Sequence, residues 1–275
     1  MIKDITLGQY YKKDSIIHSL DPRVKLATTF VFLISLFIST NIFAYILAAI
    51  FLFTEIMLCK VPFKFIIRGL KSLLLLLLIS VLFNLFLTPG KIVFSFGILK
   101  VTKESIVIAL KMSIRLVFLV IGSSILTLTT TPSKLTDGLE KSLSFLKVFK
   151  VPVAEIALMM SIALRFIPIL IEETEKIMNA QMARGADFDK GNLIEKAKSL
   201  IPLLVPLFIS AFRRANDLAI AMEARCYTDS ENRTKLHPLK YTKIDFMAYI
   251  TLFVYIVLIF FTRYIKIDVL NNMFA

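Results

Sequence analysis

Long uninterrupted apolar runs constrain this chain more than any other feature of its sequence. A helix needs roughly 20 apolar residues to cross a hydrocarbon core about 30 Å thick. Of the 275 residues, 57% are hydrophobic, whereas soluble domains contain about 45–50% apolar residues. The sequence therefore predicts an all-α integral membrane protein with about five transmembrane helices, placed at Leu26–Thr40, Ile42–Leu58, Leu70–Leu87, Ile106–Thr130 and Ile244–Tyr264. The first two runs are separated only by the polar tip Ser39-Thr40-Asn41, which predicts a tight helical hairpin.

Lysine and arginine are distributed unevenly among the segments that connect these runs. Residues 1–25, 59–71 and 131–150 each contain at least four of them, whereas residues 39–41 contain none. Because cytoplasmic loops of membrane proteins collect Lys and Arg, this bias predicts a multi-pass protein of the cell membrane with a cytoplasmic N-terminus and an extracellular C-terminus. It also accounts for the net charge of +13 without a nucleic-acid partner. Cys59 and Cys226 both fall on the predicted reducing side, so we expect free thiols.

A change in composition near residue 131 suggests a separate middle region. Beyond that point, charges and prolines interrupt the apolar runs. Two helices with an apolar stripe are predicted there, one from Pro152 to Arg184 and one around Leu204–Met222. Ser199–Phe212 is too short for a span, which favours helices lying along or below the inner leaflet. The predicted segments are 1–25, cytoplasmic; 26–130, four transmembrane helices; 131–243, coupling helices; and 244–275, a final transmembrane helix and tail.

Both predicted middle helices end in the same short motif. Ala183-Arg184-Gly185 ends the first and Ala224-Arg225-Cys226 ends the second, with the two arginines 41 positions apart. An arginine in the last turn of a helix is common, and Gly is the usual residue after it, so capping is one explanation. The other is docking, because the fork of the guanidinium pairs with a carboxylate in a partner's groove. Two copies in similar context favour docking.

The paired motifs resemble those of the EcfT family, the transmembrane component of energy-coupling factor transporters, which is related to the CbiQ-type cobalt transporter subunit. The N-terminal stretch LGQYYKKDSIIHSLDPRVKL, residues 7–26, is similar to that family's His-x-Leu-Asp-Pro-Arg-x-Lys-Leu pattern. The resemblance covers nearly the whole chain. It departs at Cys226, where the family has Gly, and this raises the question of whether the second motif keeps a left-handed cap.

The resemblance implies a non-catalytic coupling subunit of an ABC-type importer. Its partners would be two ABC-type ATPases, a small substrate-binding membrane protein that captures a vitamin, and the lipid bilayer. Ala183, Arg184, Gly185, Ala224, Arg225 and Cys226 would dock the ATPases. The sequence has no Gly-x-x-x-x-Gly-Lys-Ser/Thr motif, so ATP hydrolysis would belong to partners. An apolar stripe in water must be covered, and the contact with the substrate-binding protein is expected at Ile167, Leu170, Leu204, Phe208, Ala211 and Ala215.

Two other functions remain open on the sequence. One is the membrane subunit of a cobalt or nickel uptake system, which shares the arginine motifs. The other is a membrane-embedded enzyme using Glu55, Lys111, Arg115 or His18. No His, Cys, Asp or Glu residues occur at metal-ligand spacing, so neither a metal site nor a cofactor is predicted.

Overall fold

The chain folds into helices with one short β-hairpin. A computed structural model describes residues 10–39, 41–96, 99–186, 188, 192–227 and 238–264. Residues 1–9, 40, 97–98, 187, 189–191, 228–237 and 265–275 of the predicted segments lie outside them. The elements are α1 (Ile16–Ser19), α2 (Pro22–Ile38), α3 (Ile42–Cys59), α4 (Phe63–Leu87), β1 (Ile92–Phe96), β2 (Leu99–Thr102), α5 (Lys103–Thr129), α6 (Pro132–Ser142), a 3₁₀-helix (Leu143–Phe149), α7 (Val153–Ala183), α8 (Leu193–Ser199), α9 (Ile201–Ala224) and α10 (Lys243–Tyr264).

The predicted fold class, a helical protein with about five membrane spans, is confirmed. Four described helices are long and apolar enough to cross a membrane, namely α3, α5, α7 and α10. A fifth span is reached when the two parts of α4, which are bent by 57°, are taken together. The set differs from the predicted one in two places. At 17 residues α2 is shorter than these spans, and α7, assigned above to the coupling region, has the length and composition of a span.

The described residues fall into two compact units. One comprises residues 10–141 and 239–264, and the other comprises residues 142–227 with Pro238. The second unit lies within the segment 131–243 that the composition change indicated. The first contains all the other predicted spans and the antiparallel β1–β2 hairpin, in which Phe94 pairs with Val101. The hairpin was not predicted, because it lies between the predicted spans Leu70–Leu87 and Ile106–Thr130, where no regular element was assigned.

Helices α2, α3 and α10 share the core of the first unit. Phe32, Leu36, Ala48, Leu52, Leu252 and Tyr255 form its buried cluster. The ring of Tyr255 stacks on Phe51 at 4.4 Å between centroids, and its hydroxyl lies 2.8 Å from Ser35 Oγ. Tyr255 therefore buries its ring and still satisfies its polar atom, as a buried tyrosine must.

A glycine sets the spacing between α2 and α5. A methyl group added to Gly122 would lie 2.8 Å from the ring of Phe32, which is almost completely buried. Small residues at a helix crossing let the backbones approach closely. Gly122 therefore brings α5 against the aromatic core of the first unit.

Candidate docking site

Helix α7 ends in a turn that matches the predicted cap. The N–H of Ala186 donates to the carbonyl of Gln181 at 3.0 Å, and the N–H of Gly185 donates to the carbonyl of Met182 at 2.9 Å. This pair of bonds defines a Schellman motif, in which the residue after the cap adopts a left-handed conformation. Gly185 has φ of +91°, a region that glycine enters without a Cβ penalty.

Helix α9 ends in the same turn although it has no glycine. The N–H of Tyr227 donates to the carbonyl of Met222 at 3.0 Å, and that of Cys226 donates to the carbonyl of Glu223 at 2.8 Å. Cys226 has φ of +54°. The departure from the family pattern at this position therefore leaves the left-handed cap intact, at the steric cost of placing a side chain in that conformation.

The two arginines occupy the same position in the two turns. Arg184 and Arg225 are the C-cap residues of α7 and α9, with φ of −87° and −94°. Both side chains are exposed. Neither guanidinium makes a hydrogen bond or an ion pair with another residue in the described part of the chain. Each motif thus presents, among the described residues, a cation without a partner at the end of a helix.

Helices α7 and α9 pack against each other with opposite chain directions. Arg214 donates to Glu173 Oε2 through Nη2 at 2.8 Å and through Nε at 3.2 Å, and the hydroxyl of Ser210 donates to Glu173 Oε1. Eight residues later on α7, the side-chain amide of Gln181 donates to the carbonyl of Pro202 at 3.4 Å. Contact positions rise along α7 while they fall along α9, so the pair is antiparallel.

The Glu173–Arg214 ion pair has the same 41-residue offset as the two motifs. Arg184 lies eleven residues beyond Glu173, and Arg225 lies eleven residues beyond Arg214. At 1.5 Å per residue, each helix runs on for about 16 Å from this contact to its arginine. We call these two segments, Glu173 to Arg184 and Arg214 to Arg225, the arms of the helix pair. Because the helices are antiparallel, the two arms point in opposite directions. The sequence interpretation missed this ion pair, although its offset equals that of the arginines.

Part of the predicted apolar stripe is exposed. On α9, Leu204, Phe208 and Ala215 are exposed and Ala211 is half-buried, while Ile167 and Leu170 on α7 are half-buried. The inner side of α9 carries Leu203, Ser210 and Arg214 instead. The exposed apolar face of α9 is wider than predicted, because it also includes Ile201, Val205, Ile209 and Phe212.

The Asp-Pro-Arg motif near the N-terminus forms a buried polar cluster in the first unit. Asp21 caps α2 by accepting from the N–H of Arg23 at 2.9 Å, and it also binds the Arg23 guanidinium through both oxygens. The N–H of Asp21 donates to the fully buried Asp245 at 2.8 Å. Thr242 donates to the other oxygen of Asp245, and Arg23 lies 3.9 Å from the ring centroid of Tyr241. The motif therefore fastens the beginning of α2 to the beginning of α10.

The profile of the CbiQ family, described as cobalt transport protein, matches residues 13–236. The chain belongs to this family. It is 52% identical over 250 residues to the energy-coupling factor transporter transmembrane protein EcfT of Clostridium kluyveri, covering 90% of this chain and 93% of that protein. The EcfT of Ruminiclostridium cellulolyticum is 50% identical over 248 residues, with the same coverages. The EcfT of Bacillus subtilis is 46% identical over 264 residues, covering 96% of this chain and all of that protein.

Membership in the CbiQ family confirms the predicted resemblance to EcfT. The chain is a multi-pass membrane component of the energy-coupling factor transporter kind. This family membership agrees with the predicted role of a non-enzymatic membrane subunit. The roles of the individual site residues stay predictions.

Residues named for the enzyme alternative are held in separate places in this EcfT-type chain. Arg115 donates to the carbonyl of Ser39 at 3.3 Å and to the hydroxyl of Tyr45 at 3.0 Å. Tyr45 precedes Glu55 on α3 by ten residues, or about 15 Å of helix. Lys111 lies one turn before Arg115, half-buried. Glu55 instead lines a cavity of about 550 Å³ together with Lys25 of α2 and apolar side chains of α1, α3, α5 and α10.

His18 has a structural role in the turn before α2. Its Nε2 donates to the carbonyl of Tyr11 at 3.0 Å, and its Nδ1 accepts from the hydroxyl of Ser15 at 2.7 Å. Partial burial lowers the pKa of His18, which favours this neutral form. The buried Lys25 donates to the carbonyls of His18 and Thr129.

Within the described residues, no group of three or more His, Cys, Asp or Glu side chains is placed to hold a metal ion. Cys59 is a buried free thiol and Cys226 is an exposed one.

Proposed function

We propose that this chain is the non-catalytic transmembrane coupling subunit of an energy-coupling factor importer. It transmits ATP-driven movement from two ATPase subunits to a small substrate-binding membrane protein, which brings a vitamin into the cell. Its N-terminus lies in the cytoplasm and its C-terminus outside, with α2, α3, α4, α5 and α10 as the five spans, since the 17 residues of α2 reach the lower limit of about 17 for a membrane span. No cofactor is required by this chain.

One observation carries the proposal: two helices with identical C-terminal turns present two unpaired arginines at equal distances from one crossing contact. Two equivalent ends that point away from each other suit two equivalent partners. Capping explains each turn separately, but it gives no reason for the equal eleven-residue arms or for a left-handed cysteine where glycine is the easier choice.

The antiparallel packing also favours a helix pair that lies along or below the inner leaflet. From Ile201 to Arg225, α9 extends for about 36 Å, which exceeds the thickness of a hydrocarbon core. If α7 crossed the bilayer, α9 would return across it and carry Arg225 away from the side of Arg184. With the pair below the membrane, both arginines face the same compartment as the ATPases.

Each arginine inserts into a groove of one ATPase subunit. The neighbouring Ala183 and Ala224 are small enough to let the helix end approach a partner closely. A guanidinium removed from water needs a carboxylate or carbonyl partner, so an acidic or carbonyl-lined groove is expected on each ATPase.

The apolar face of α9 contacts the substrate-binding protein. An exposed apolar surface of this size marks a contact with protein or lipid. Ile167, Leu170, Leu204, Phe208, Ala211 and Ala215 are assigned to this contact together with the wider face described above.

A cobalt or nickel uptake system is the second candidate, because the matching family profile is described as a cobalt transport protein. Both candidates use the same membrane subunit architecture. Uptake of radiolabelled vitamin or of cobalt into vesicles containing the assembled transporter distinguishes them, since a dedicated system accumulates only one of the two.

The docking role predicts that reversing both arginine charges releases the ATPases. In the assembled complex, Arg184→Glu combined with Arg225→Glu places like charges together in both grooves. Truncating one member of a buried charged pair typically costs about 2–5 kcal/mol, which is roughly 30-fold or more in affinity. We expect the double variant to lose both ATPases in a pull-down and to abolish ATP-driven uptake.

Arg213→Glu is the matched control, since Arg213 is also exposed on α9 but belongs to neither motif. It should keep both ATPases and transport normally. Capping alone predicts a change of only about 0.3–1 kcal/mol for the double variant. Retained ATPases with normal uptake would therefore refute the docking role.

A further inference from the structure

The 3₁₀-helix between α6 and α7 has three distinct faces. Such a helix has three residues per turn, so side chains three positions apart lie above one another. Leu143, Leu146 and Phe149 share one face, and Phe145 and Val148 share the second. Ser144 and Lys147 form the third, and Lys150 follows directly at the cap. Two of the three faces are therefore apolar, and the third is basic.

Three side chains on the two apolar faces are largely exposed, whereas Leu146 is half-buried. Val148 is 84% exposed, Phe149 is 73% exposed and Phe145 is 61% exposed. None of the three appears in the buried core of the described part of the chain. Large apolar side chains exposed to this degree in one short helix are unfavourable in water and call for an apolar environment.

The charge of the segment is one-sided. Between Glu140 and Glu155 the chain contains Lys141, Lys147 and Lys150 and no acidic residue. Lys147 and Lys150 are exposed. A helix with a basic polar side and aromatic and aliphatic residues opposite it is typical of segments that lie in the membrane interface.

The position in the chain agrees with that environment. The helix begins 14 residues after the end of α5, which is long and apolar enough to be a span. With seven residues at about 2.0 Å each, it is about 14 Å long, too short to cross a membrane but long enough to lie in its surface. The lysine distribution places residues 131–150 on the cytoplasmic side, where bilayers carry anionic lipids.

We propose that Leu143–Phe149, with Lys150, is an interfacial anchor that binds the anionic inner surface of the membrane. Phe145, Val148 and Phe149 insert among the acyl chains, while Lys147 and Lys150 contact phosphate groups of the lipid heads. This role is independent of ATPase docking, because it uses neither arginine motif. The test below has one opposing outcome, in which the substrate-binding protein and not lipid covers these apolar side chains.

The chain contains no tryptophan, so one introduced tryptophan reports a single site. The probe is the full-length chain carrying Val148→Trp, reconstituted alone into nanodiscs that contain brominated phosphatidylcholine and phosphatidylglycerol. Brominated acyl chains quench tryptophan on contact. Lys147→Trp is the matched control on the basic face one residue away. Since interfacial helices bury their apolar face about 5–10 Å deep, we expect about twofold stronger quenching at 148 than at 147.

The anionic preference is tested in the same protein. Lys147→Gln combined with Lys150→Asn removes both charges, and Asn tolerates the left-handed conformation that Lys150 adopts at φ of +59°. Each lysine near an anionic surface is worth about fivefold in partitioning. Quenching at 148 should therefore rise with phosphatidylglycerol content in the lysine form and lose that dependence in the double variant.

Phe145→Trp, one turn earlier on the same face, serves as a second probe if Val148→Trp fails to fold, as judged by its helix content. Equal quenching at 147 and at the apolar-face site, or no quenching at either, would overturn the anchor. The anchor would also be overturned if adding the substrate-binding protein protected the apolar-face tryptophan from quenching. That protein would then cover the face.

Discussion

Cys226 shows how backbone hydrogen bonding can override a local residue preference. At the equivalent place in α7, Gly185 predicts a left-handed cap directly. A cysteine predicts no such turn, because its Cβ disfavours positive φ. The two carbonyls of α9 that accept from Cys226 and Tyr227 nevertheless impose the turn. The cap at Arg184 was thus predictable from residue type, whereas the cap at Arg225 was predictable only from its resemblance to the first.

Relieving this strain should tighten the end of α9. We expect Cys226→Gly to slow amide hydrogen exchange at Tyr227 and its neighbours about fivefold. Removing a Cβ from the left-handed region stabilises the folded turn by about 1 kcal/mol. Gly185→Ala should speed exchange at Ala186 by a similar factor. An added methyl group there meets no atom within 4 Å, so backbone strain is the cause. Hydrogen-exchange mass spectrometry of the full-length chain measures both.

Cys226→Ala is the control, because it removes the thiol and keeps the strained conformation. It should exchange like the wild type. If Cys226→Gly exchanged at the wild-type rate or faster, the left-handed conformation at this position would carry no strain.

The buried contact between Asp21 and Asp245 marks the limit of local sequence interpretation. Capping of α2 by Asp21 follows from the Asp-Pro sequence. Its second bond joins residues 224 positions apart, and no local pattern indicates it. The fold also turns Arg23 onto Asp21 and Tyr241.

At the scale of an element, helix α9 also combines features that its sequence predicts with an orientation that its sequence does not predict. Its existence, its end at Ala224 and its apolar stripe follow from the helical spacing of apolar residues. The side of α9 that faces α7 does not follow from this spacing, because Ser210 and Arg214 lie on the inner side and Phe208 and Phe212 lie outside. The inner side carries the ion pair of Arg214 with Glu173. Because Glu173 lies on α7, the spacing of residues within α9 does not indicate this contact.

The exposed apolar face of α9 gives a prediction for the substrate-binding protein. Phe208→Asp combined with Phe212→Asp places two charges on side chains that are 61% and 70% exposed. We expect this variant to fold, because neither ring is buried, and to release the substrate-binding protein in a pull-down while both ATPases stay bound. Arg213→Asp places an acidic group at an exposed position of the same helix outside this face and should release neither. Unchanged copurification of all partners with the double variant would remove this face from the contact.

On the scale of the whole molecule, the proposed function rests on a repeat that neither a single helix nor a single residue reveals. The 41-residue offset relates Glu173 to Arg214 and Arg184 to Arg225. Only the antiparallel packing converts that offset into two equal arms that point away from each other. The sequence predicted the membrane class, the middle region and both arginines, and it could not predict their mutual arrangement because that arrangement depends on the crossing of α7 and α9.

The most direct test of the account is the number of ATPase subunits bound to the chain. Native mass spectrometry of the complex in mild detergent counts them, at a concentration above the wild-type dissociation constant and below that of the variants. The account predicts two ATPase subunits for the wild type, a shift to one for Arg184→Glu and likewise for Arg225→Glu, and none for the double variant. Two subunits retained by the double variant, or simultaneous loss of both in one single variant and of neither in the other, would contradict it.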